Sequence, residues 1–384
     1  MPNIVYVANV AMPTSWAHGY QIMKTCEALA AQGAHVDLVV ADRIDPSITV
    51  DAFEHYSVAR TFRITRLHVI DLMRALPDWL SGFAFHLERW TFTQALKKFL
   101  PTLKDADVVY VRDAHLAERL SLMLRVPVVY EMHVIPDERA IRRIKGVTKI
   151  VCLTSSLERR VKAALPRCPV TIIPDAVDMH VFDPVMTRGE ARARLGIPPD
   201  ALVVAYGGQF ATLGSGKGLD QLDRAVDALG ADFSNLALYL VGGAPSEFLR
   251  VEGRDPSPRT TCVPFMPRES VAEYYRAADV LAMPFPKTPH YEEAMSPLKM
   301  FEYMASGTTI VASDLRSVRD VLDAQTAFLY DAEDPDGLRQ AIRQALSADA
   351  SIRGAIGIAA KQRVRERYTW DARAKALLAF LASR

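Results

Sequence analysis

Asn3-Ile4-Val5-Tyr6-Val7-Ala8-Asn9 is a mostly apolar, β-prone stretch, the composition of a strand buried in a parallel sheet. A loop with Pro13, Thr14, Ser15 and Gly19 follows it. Over residues 20–32 the apolar side chains Ile22, Met23, Cys26, Leu29 and Ala30 recur at helical spacing, and Gly33 supplies the residue type that ends a helix. Residues 34–40 are again strand-like, which completes a β-α-β unit. Further strands are predicted at 108–112, 126–130, 149–153 and 170–173, with helices between them. This alternation predicts an α/β domain whose parallel sheet is covered on both faces.

The alternation breaks at Ile173-Pro174-Asp175-Ala176-Val177-Asp178 and at Phe182-Asp183-Pro184, where prolines and polar turn residues mark a linker. A second series then runs through strands at 202–206, 237–241, 261–263, 280–283, 309–312 and 327–330, and the chain ends in helical segments. A chain of 384 residues suits two domains better than one core. The expected fold is two Rossmann-like, doubly wound domains, residues 1–180 and 185–368, facing across a cleft. Ligands of such sheets bind at the carboxyl ends of strands.

Composition removes several classes. The net charge of +1 gives no support for nucleic-acid binding. Cys26, Cys152, Cys168 and Cys262 are scattered, without CxxC or Cys/His spacing, so free thiols are expected and no structural zinc or disulfide frame. No basic segment with an apolar core opens the sequence, and no apolar run reaches membrane-spanning length. A cytoplasmic protein is expected, at most resting on the cytoplasmic face of a membrane.

The most informative segment is Met295-Ser296-Pro297-Leu298-Lys299-Met300-Phe301-Glu302-Tyr303-Met304-Ala305-Ser306-Gly307. Ser296 suits an N-cap, Pro297 the first helical position and Gly307 the C-terminus. Lys299 violates this grammar, because a cation in the first turn meets the positive end of the helix dipole. Either it swings out to solvent, or an anion such as a diphosphate answers both charges. Glu302 lies five residues past Pro297, ~7.5 Å along the axis, and helical side chains lean back toward the N-terminus. Its carboxylate is either a surface group or an acceptor for the hydroxyls of a ribose whose diphosphate sits at the helix tip.

Ser296 to Gly307 resembles the donor-binding signature of family 4 glycosyltransferases of the GT-B fold. Other pieces resemble that family in order: Val203-Val204-Ala205-Tyr206-Gly207-Gly208 followed by Lys217-Gly218-Leu219-Asp220; Tyr275-Arg276-Ala277-Ala278-Asp279-Val280; the linker at Ile173; and Tyr368-Thr369-Trp370, where the family's chain crosses back so that residues 369–384 pack on the first domain. The resemblance implies that Gly208, Lys217, Ser296, Pro297, Leu298, Lys299 and Glu302 bind a nucleotide-sugar. Lys217 would also neutralise the departing diphosphate in a loop whose glycines, at 207, 208, 214, 216 and 218, admit backbone close to phosphate. The loop is not a P-loop, since position 211 is Ala and no Ser or Thr follows Lys217.

The sequence departs from the family's Glu-x7-Glu pattern at Ala294, where the first acid should stand. Glu293 or Glu292, or backbone around Met295 and Ser296, is then expected to meet the transferred sugar. Tyr130-Glu131-Met132-His133 resembles the family's Glu-x-His segment, which implies that His133 lies beside that sugar; the other reading is a hydrogen-bonded structural histidine. Gly19 matches the glycine of the first long helix, where backbone approaches diphosphate and acceptor. His18, Arg112 and Asp113 are expected on the acceptor side. The sequence has no GxGxxG for a nicotinamide cofactor here and no Asp-x-Asp, and neither a metal nor another cofactor is expected.

Family 4 implies retention of anomeric configuration by front-face transfer from a UDP- or GDP-sugar to a hydroxyl acceptor of unknown identity. Catalysis would then rest on positioning and on stabilising the leaving diphosphate. Residues 56–104 mix Phe62, Trp79, Phe83, Phe85, Trp90 and Phe92 with Arg60, Arg63, Arg66, Arg74, Arg89, Lys97, Lys98 and Lys104. They read either as a core-packing helical region that shapes an acceptor pocket or as a peripheral membrane contact. A non-catalytic GT-B protein that binds nucleotide-sugar or supports a partner transferase, and a nucleotide-sugar epimerase or a phosphorylase on a related fold, are the competing functions; no pyridoxal-phosphate lysine site for a phosphorylase is located.

Overall fold

The computed structural model describes residues 1–43, 45–72, 76–99, 101, 105–183, 185–212 and 215–383. Arg74, Lys104, Pro184 and Gly214, all singled out above, lie outside the described residues. The chain divides into two compact units, Met1–Pro174 with Trp370–Arg384, and Asp175–Thr369.

The first unit is built on seven parallel strands: β1 (Asn3–Ala8), β2 (His35–Ala41), β3 (Arg63–Leu67), β4 (Val108–Val111), β5 (Val128–Met132), β6 (Lys149–Cys152) and β7 (Val170–Ile172). Their order is β3-β2-β1-β4-β5-β6-β7. The central strands are apolar because both faces are covered: every residue of β4 and β5 is buried. Strand β3 falls within the stretch read above as helical. Its Arg63-Ile64-Thr65-Arg66-Leu67 lacks a buried-strand pattern because it is a sheet edge, held by polar cross-strand pairs. Arg63 pairs with Asp37 of β2, and the Thr65 hydroxyl donates to the same carboxylate at 2.8 Å. The helix Ala17–Ala31 begins three residues before the apolar periodicity does, so Gly19 lies inside its first turn.

The helix Trp370–Ala382 completes this unit. The Trp370 ring meets Tyr20 edge-on at 6.1 Å. Lys149, at the start of β6, donates from Nζ to the carbonyls of Phe380 at 2.6 Å and Leu381 at 3.1 Å, which satisfies the exposed end of that helix.

The second unit contains β8 (Leu202–Gly207), β9 (Ala211–Thr212), β10 (Ser215–Gly216), β11 (Leu236–Val241), β12 (Thr260–Val263), β13 (Val280–Met283), β14 (Thr309–Ser313) and β15 (Phe328–Tyr330). Six of them form a parallel sheet in the order β12-β11-β8-β13-β14-β15. The glycine-rich stretch after β8 is not open coil throughout, because β9 and β10 pair antiparallel within it. Met300, Phe301, Tyr303 and Met304 pack into the core of this unit. Asp279, also buried, accepts from Val203 N at 2.8 Å and from Arg192 Nη2 at 2.8 Å, which anchors the start of β8.

Both sheets reverse winding direction once, between β1 and β4 in the first and between β8 and β13 in the second. Those switch points are where an open α/β sheet leaves a crevice at its carboxyl edge.

Candidate active site

In the second unit the switch point carries two lysines. Strand β8 ends in Gly207-Gly208. Gly208 has φ +118°, a conformation side chains rarely adopt, and a Cβ there would come within 3.0 Å of Lys299 Nζ. Glycine at 208 thus serves the close approach of a lysine as well as a backbone turn. Lys217 lies at the far end of the hairpin. Gly218 after it has φ +79° and packs on the carbonyl of Pro284, just past β13.

Lys299 is partly exposed as a residue, but its ammonium is buried. Its Nζ lies 3.5 Å from the centroid of the Tyr206 ring and 5.4 Å from that of Phe285. Among the described residues it has no hydrogen-bond partner. Burial holds its ammonium well below the ordinary lysine range, and the charge of Lys217 depresses it further. Lys217 is 9% exposed, and burial lowers it to about 8 against the pull of Glu247. A cation-π contact is worth ~2 kcal/mol when desolvated. That does not offset the several kcal/mol needed to bury an unpaired ion. The site is therefore poised for an anion.

The helix that carries Lys299 starts one residue later than its sequence suggested. It spans Leu298–Ser306, and Pro297 occupies the N-cap position without a side-chain cap. Ser296 does not cap it, because its hydroxyl accepts from Asp175 N at 2.9 Å. The uncapped start leaves the first-turn N–H groups beside Lys299.

One turn on, Glu302 is 6% exposed. Arg268 donates to its Oε1, and the Tyr275 hydroxyl donates to Oε2 at 3.4 Å. Glu302 is thus neither a solvated surface group nor an unaccompanied carboxylate. Ala294 is buried and closes a π-helical turn, His290–Ala294. Met295 is buried beside it, and Glu293 is partly buried. Glu292 pairs with Arg316 at 3.2 Å, and its Oε2 is buried without a hydrogen-bond partner among the described residues.

In the first unit, the first turn of the helix after β1 and the segments after β4 and β5 bring His18, Arg112 and His133 together at the other switch point. Glu131, wholly buried in β5, organises them. It accepts from Gln21 Nε2 at 2.8 Å, from Arg373 Nη2 at 2.8 Å and from the Tyr110 hydroxyl, and its Oε1 lies 2.5 Å from His133 Nε2. Burial alone would raise its carboxyl. Arg373 and His133 prevail and hold it well below the usual carboxylate range. Burial, then the Arg112 charge, lowers both His133 and His18 to about 4. Depressed in this way, both imidazoles are neutral near pH 7 and serve as hydrogen-bonding groups rather than bases.

Arg112 donates from Nη1 to Gln21 Oε1 at 2.7 Å. Asp113 caps the helix Ala114–Met123, accepting from His115 N at 2.9 Å and Leu116 N at 3.1 Å. Gly19 has a local packing reason that needs no ligand: a Cβ there would lie 2.1 Å from the Tyr56 hydroxyl. Gln21, Arg268 and Arg373 were missed in the sequence. Arg373 alone left a signal, a guanidinium on the apolar face of a helix between Trp370 and Leu377.

Two Rossmann-like units, one with buried cations at the carboxyl edge of its sheet, define the GT-B class of fold. The model of the family described as "Glycosyl transferases group 1" matches residues 201–348, within the second unit. The D-inositol 3-phosphate glycosyltransferase of Streptomyces avermitilis is 30% identical over 315 residues, covering 78% of this chain and 62% of the relative. The chain spans about half of a second such relative, from Xylanimonas cellulosilytica. Sucrose-phosphate synthase from Thermosynechococcus elongatus superposes with a TM-score of 0.76 at 22% identity over all of both chains. Anabaena HepE in complex with UDP-glucose superposes with a TM-score of 0.70 at 15% identity, also over all of both chains.

Proposed function

We propose that the protein is a retaining glycosyltransferase that moves a hexosyl group from a UDP- or GDP-sugar to a hydroxyl acceptor. The observation that carries this reading is the buried ammonium of Lys299, beside Lys217 and without a hydrogen-bond partner among the described residues. Two cations and a helix N-terminus present fixed positive charge to a doubly charged diphosphate, and this charge is worth most in the transition state, when the diphosphate leaves. Glu302, oriented by Arg268 and Tyr275, accepts from the ribose hydroxyls. Glu292 and Glu293 stand where an acid is needed for the transferred sugar. In front-face transfer the departing phosphate oxygen takes the proton of the acceptor hydroxyl, so no pair of carboxylates at glycosidase spacing is required. His133, kept neutral by burial and the Arg112 charge and fixed in place by Glu131, orients the sugar through a hydrogen bond.

The bound UDP-glucose of HepE favours a uridine donor. The inositol phosphate relatives favour a polyol or glycan hydroxyl as acceptor. Among the described residues no helix is long and apolar enough to cross a membrane. Trp79, Phe83, Phe85 and Trp90 are exposed and suit peripheral contact with a lipid surface. Ala294, in place of the family's first acid, is the one observation that favours a non-catalytic nucleotide-sugar binder.

Incubating the protein with a panel of nucleotide-sugars and acceptors, and recording nucleotide release and product mass, tests the proposal. Retained α-linkage in the product supports it. Tight UDP binding without turnover on any acceptor would favour the binder. Unaltered donor affinity in both Lys217→Ala and Glu302→Ala would refute the site.

A further inference from the structure

The helix Ser81–Phe99 presents His86, Arg89, Trp90 and Lys97 along one face, and the helix Ala114–Met123 presents His115 and Arg119 opposite them. These side chains line a cavity of about 430 Å³ in the first unit, within the range of small-molecule sites. No acidic side chain contributes to its wall. Glu88, the adjacent acid, is turned away and bonded to Asn9 Nδ2 at 3.1 Å. Among the described residues no carboxylate pairs with Arg89, Lys97 or Arg119, and Arg89 Nε is buried without a hydrogen-bond partner. Burial and the charges of Arg89 and Arg119 depress the neighbouring His115 imidazole, as expected where cations converge. Trp90, 59% exposed, offers a flat apolar face at the rim.

Arg89, partly buried, and the exposed Lys97 and Arg119 give the cavity an excess of positive charge that an anion would neutralise, and the buried Arg89 Nε still lacks an acceptor among the described residues. A planar guanidinium is suited to phosphate. Helix Ala114–Met123 also begins at Asp113, directly after β4 and Arg112, so the cavity adjoins the switch point of this sheet. Resting on the transferase reading above, we infer that this cavity holds the phosphate of a phosphorylated acceptor, with Trp90 covering its ring or chain. The acceptor is a soluble phosphate ester or a lipid with a phosphate headgroup, and the cavity recognises the group the two share.

The test is calorimetric titration of the full chain with D-inositol 3-phosphate and with unphosphorylated myo-inositol, alongside sedimentation with phosphatidylcholine vesicles with and without phosphatidic acid. Wild-type protein is expected to prefer the phosphorylated form in one arm by about tenfold or more, and the arm that responds identifies the source. R89Q/R119Q is expected to abolish the preference and leave UDP affinity within about twofold, whereas K217A keeps the preference. If R89Q/R119Q loses its circular dichroism, K97Q, altered at an exposed position, carries the same comparison with a smaller loss. The inference is overturned if neither arm discriminates, or if discrimination survives R89Q/R119Q and disappears in K217A. Failure of UDP to bind while discrimination persists would count against the transferase reading and leave the cavity assignment standing.

Discussion

The ammonium of Lys299 sits 3.5 Å from the centre of the Tyr206 ring, in a pocket that offers it no hydrogen bond among the described residues. A charge held this way destabilises the folded protein until a ligand arrives. Lys299→Met, close in length and uncharged, is expected to raise the stability of the unliganded protein by about 1–3 kcal/mol. It should also weaken UDP binding by about tenfold or more. Thermal melts and UDP titration of the same preparation check both. A melt below wild type would contradict this account.

Ligand binding should also move protons. Lys217 is held at about 8, below the ~10.4 of an exposed lysine. Between those values the unfolded chain binds more protons than the folded one, so stability rises with pH across that window. A bound diphosphate restores the ordinary lysine range. UDP binding near pH 8.5 is therefore expected to take up protons, seen as a dependence of the calorimetric heat on buffer ionisation enthalpy. Lys217→Ala should reduce this dependence, and the remainder belongs to Lys299, which burial also depresses.

Glu302 is assigned to the ribose rather than to the phosphates. Glu302→Ala should weaken UDP by about tenfold or more, the scale of lost hydrogen bonds to a charged group, and leave inorganic pyrophosphate within about twofold. Equal losses for both ligands would place the carboxylate elsewhere. Arg268→Ala should reproduce the selective loss in milder form, since Arg268 acts through Glu302.

Gly208 combines positive φ with contact to Lys299 Nζ. Gly208→Ala is expected to cost about 1–3 kcal/mol of stability. It should also disturb UDP affinity, whereas Gly189→Ala, at a glycine with open space around it, should alter neither. Urea titration and UDP binding provide the two readouts.

Arg373 and Glu131 are both buried, and breaking such a pair strands a charge. Arg373→Met should destabilise the protein by about 3–5 kcal/mol, and adding Glu131→Gln should recover part of the loss. Because Glu131 is held well below the usual carboxylate range, its contribution is complete above an unfolded value of ~4.3 and is lost as pH falls toward the folded one. Acid unfolding of wild type should therefore be steeper than that of the double variant.

Most strands were legible because parallel strands buried on both faces are short apolar runs, as in β4 and β8. β3 was not, since an edge strand stabilised by Arg63 and Asp37 carries no such run. Lys299 stood out because it violated the local rules of a helix start. The position of that start was read one residue early, because Ser296 serves a distant backbone N–H rather than its own helix. The partners of the acids were illegible for a related reason. Arg268 meets Glu302 across 34 residues, and Arg373 meets Glu131 across 242, distances at which periodicity carries no information.

The docking of Trp370–Ala382 on the first unit has a consequence for biosynthesis. β1 to β7 leave the ribosome early, but the guanidinium that settles Glu131 and the carbonyls that receive Lys149 emerge only after the whole second unit has been made. Until residues 370–382 have been made, the first unit lacks Arg373 at Glu131 and carries a bare helix-docking face. It is then most exposed to proteases and most dependent on chaperones.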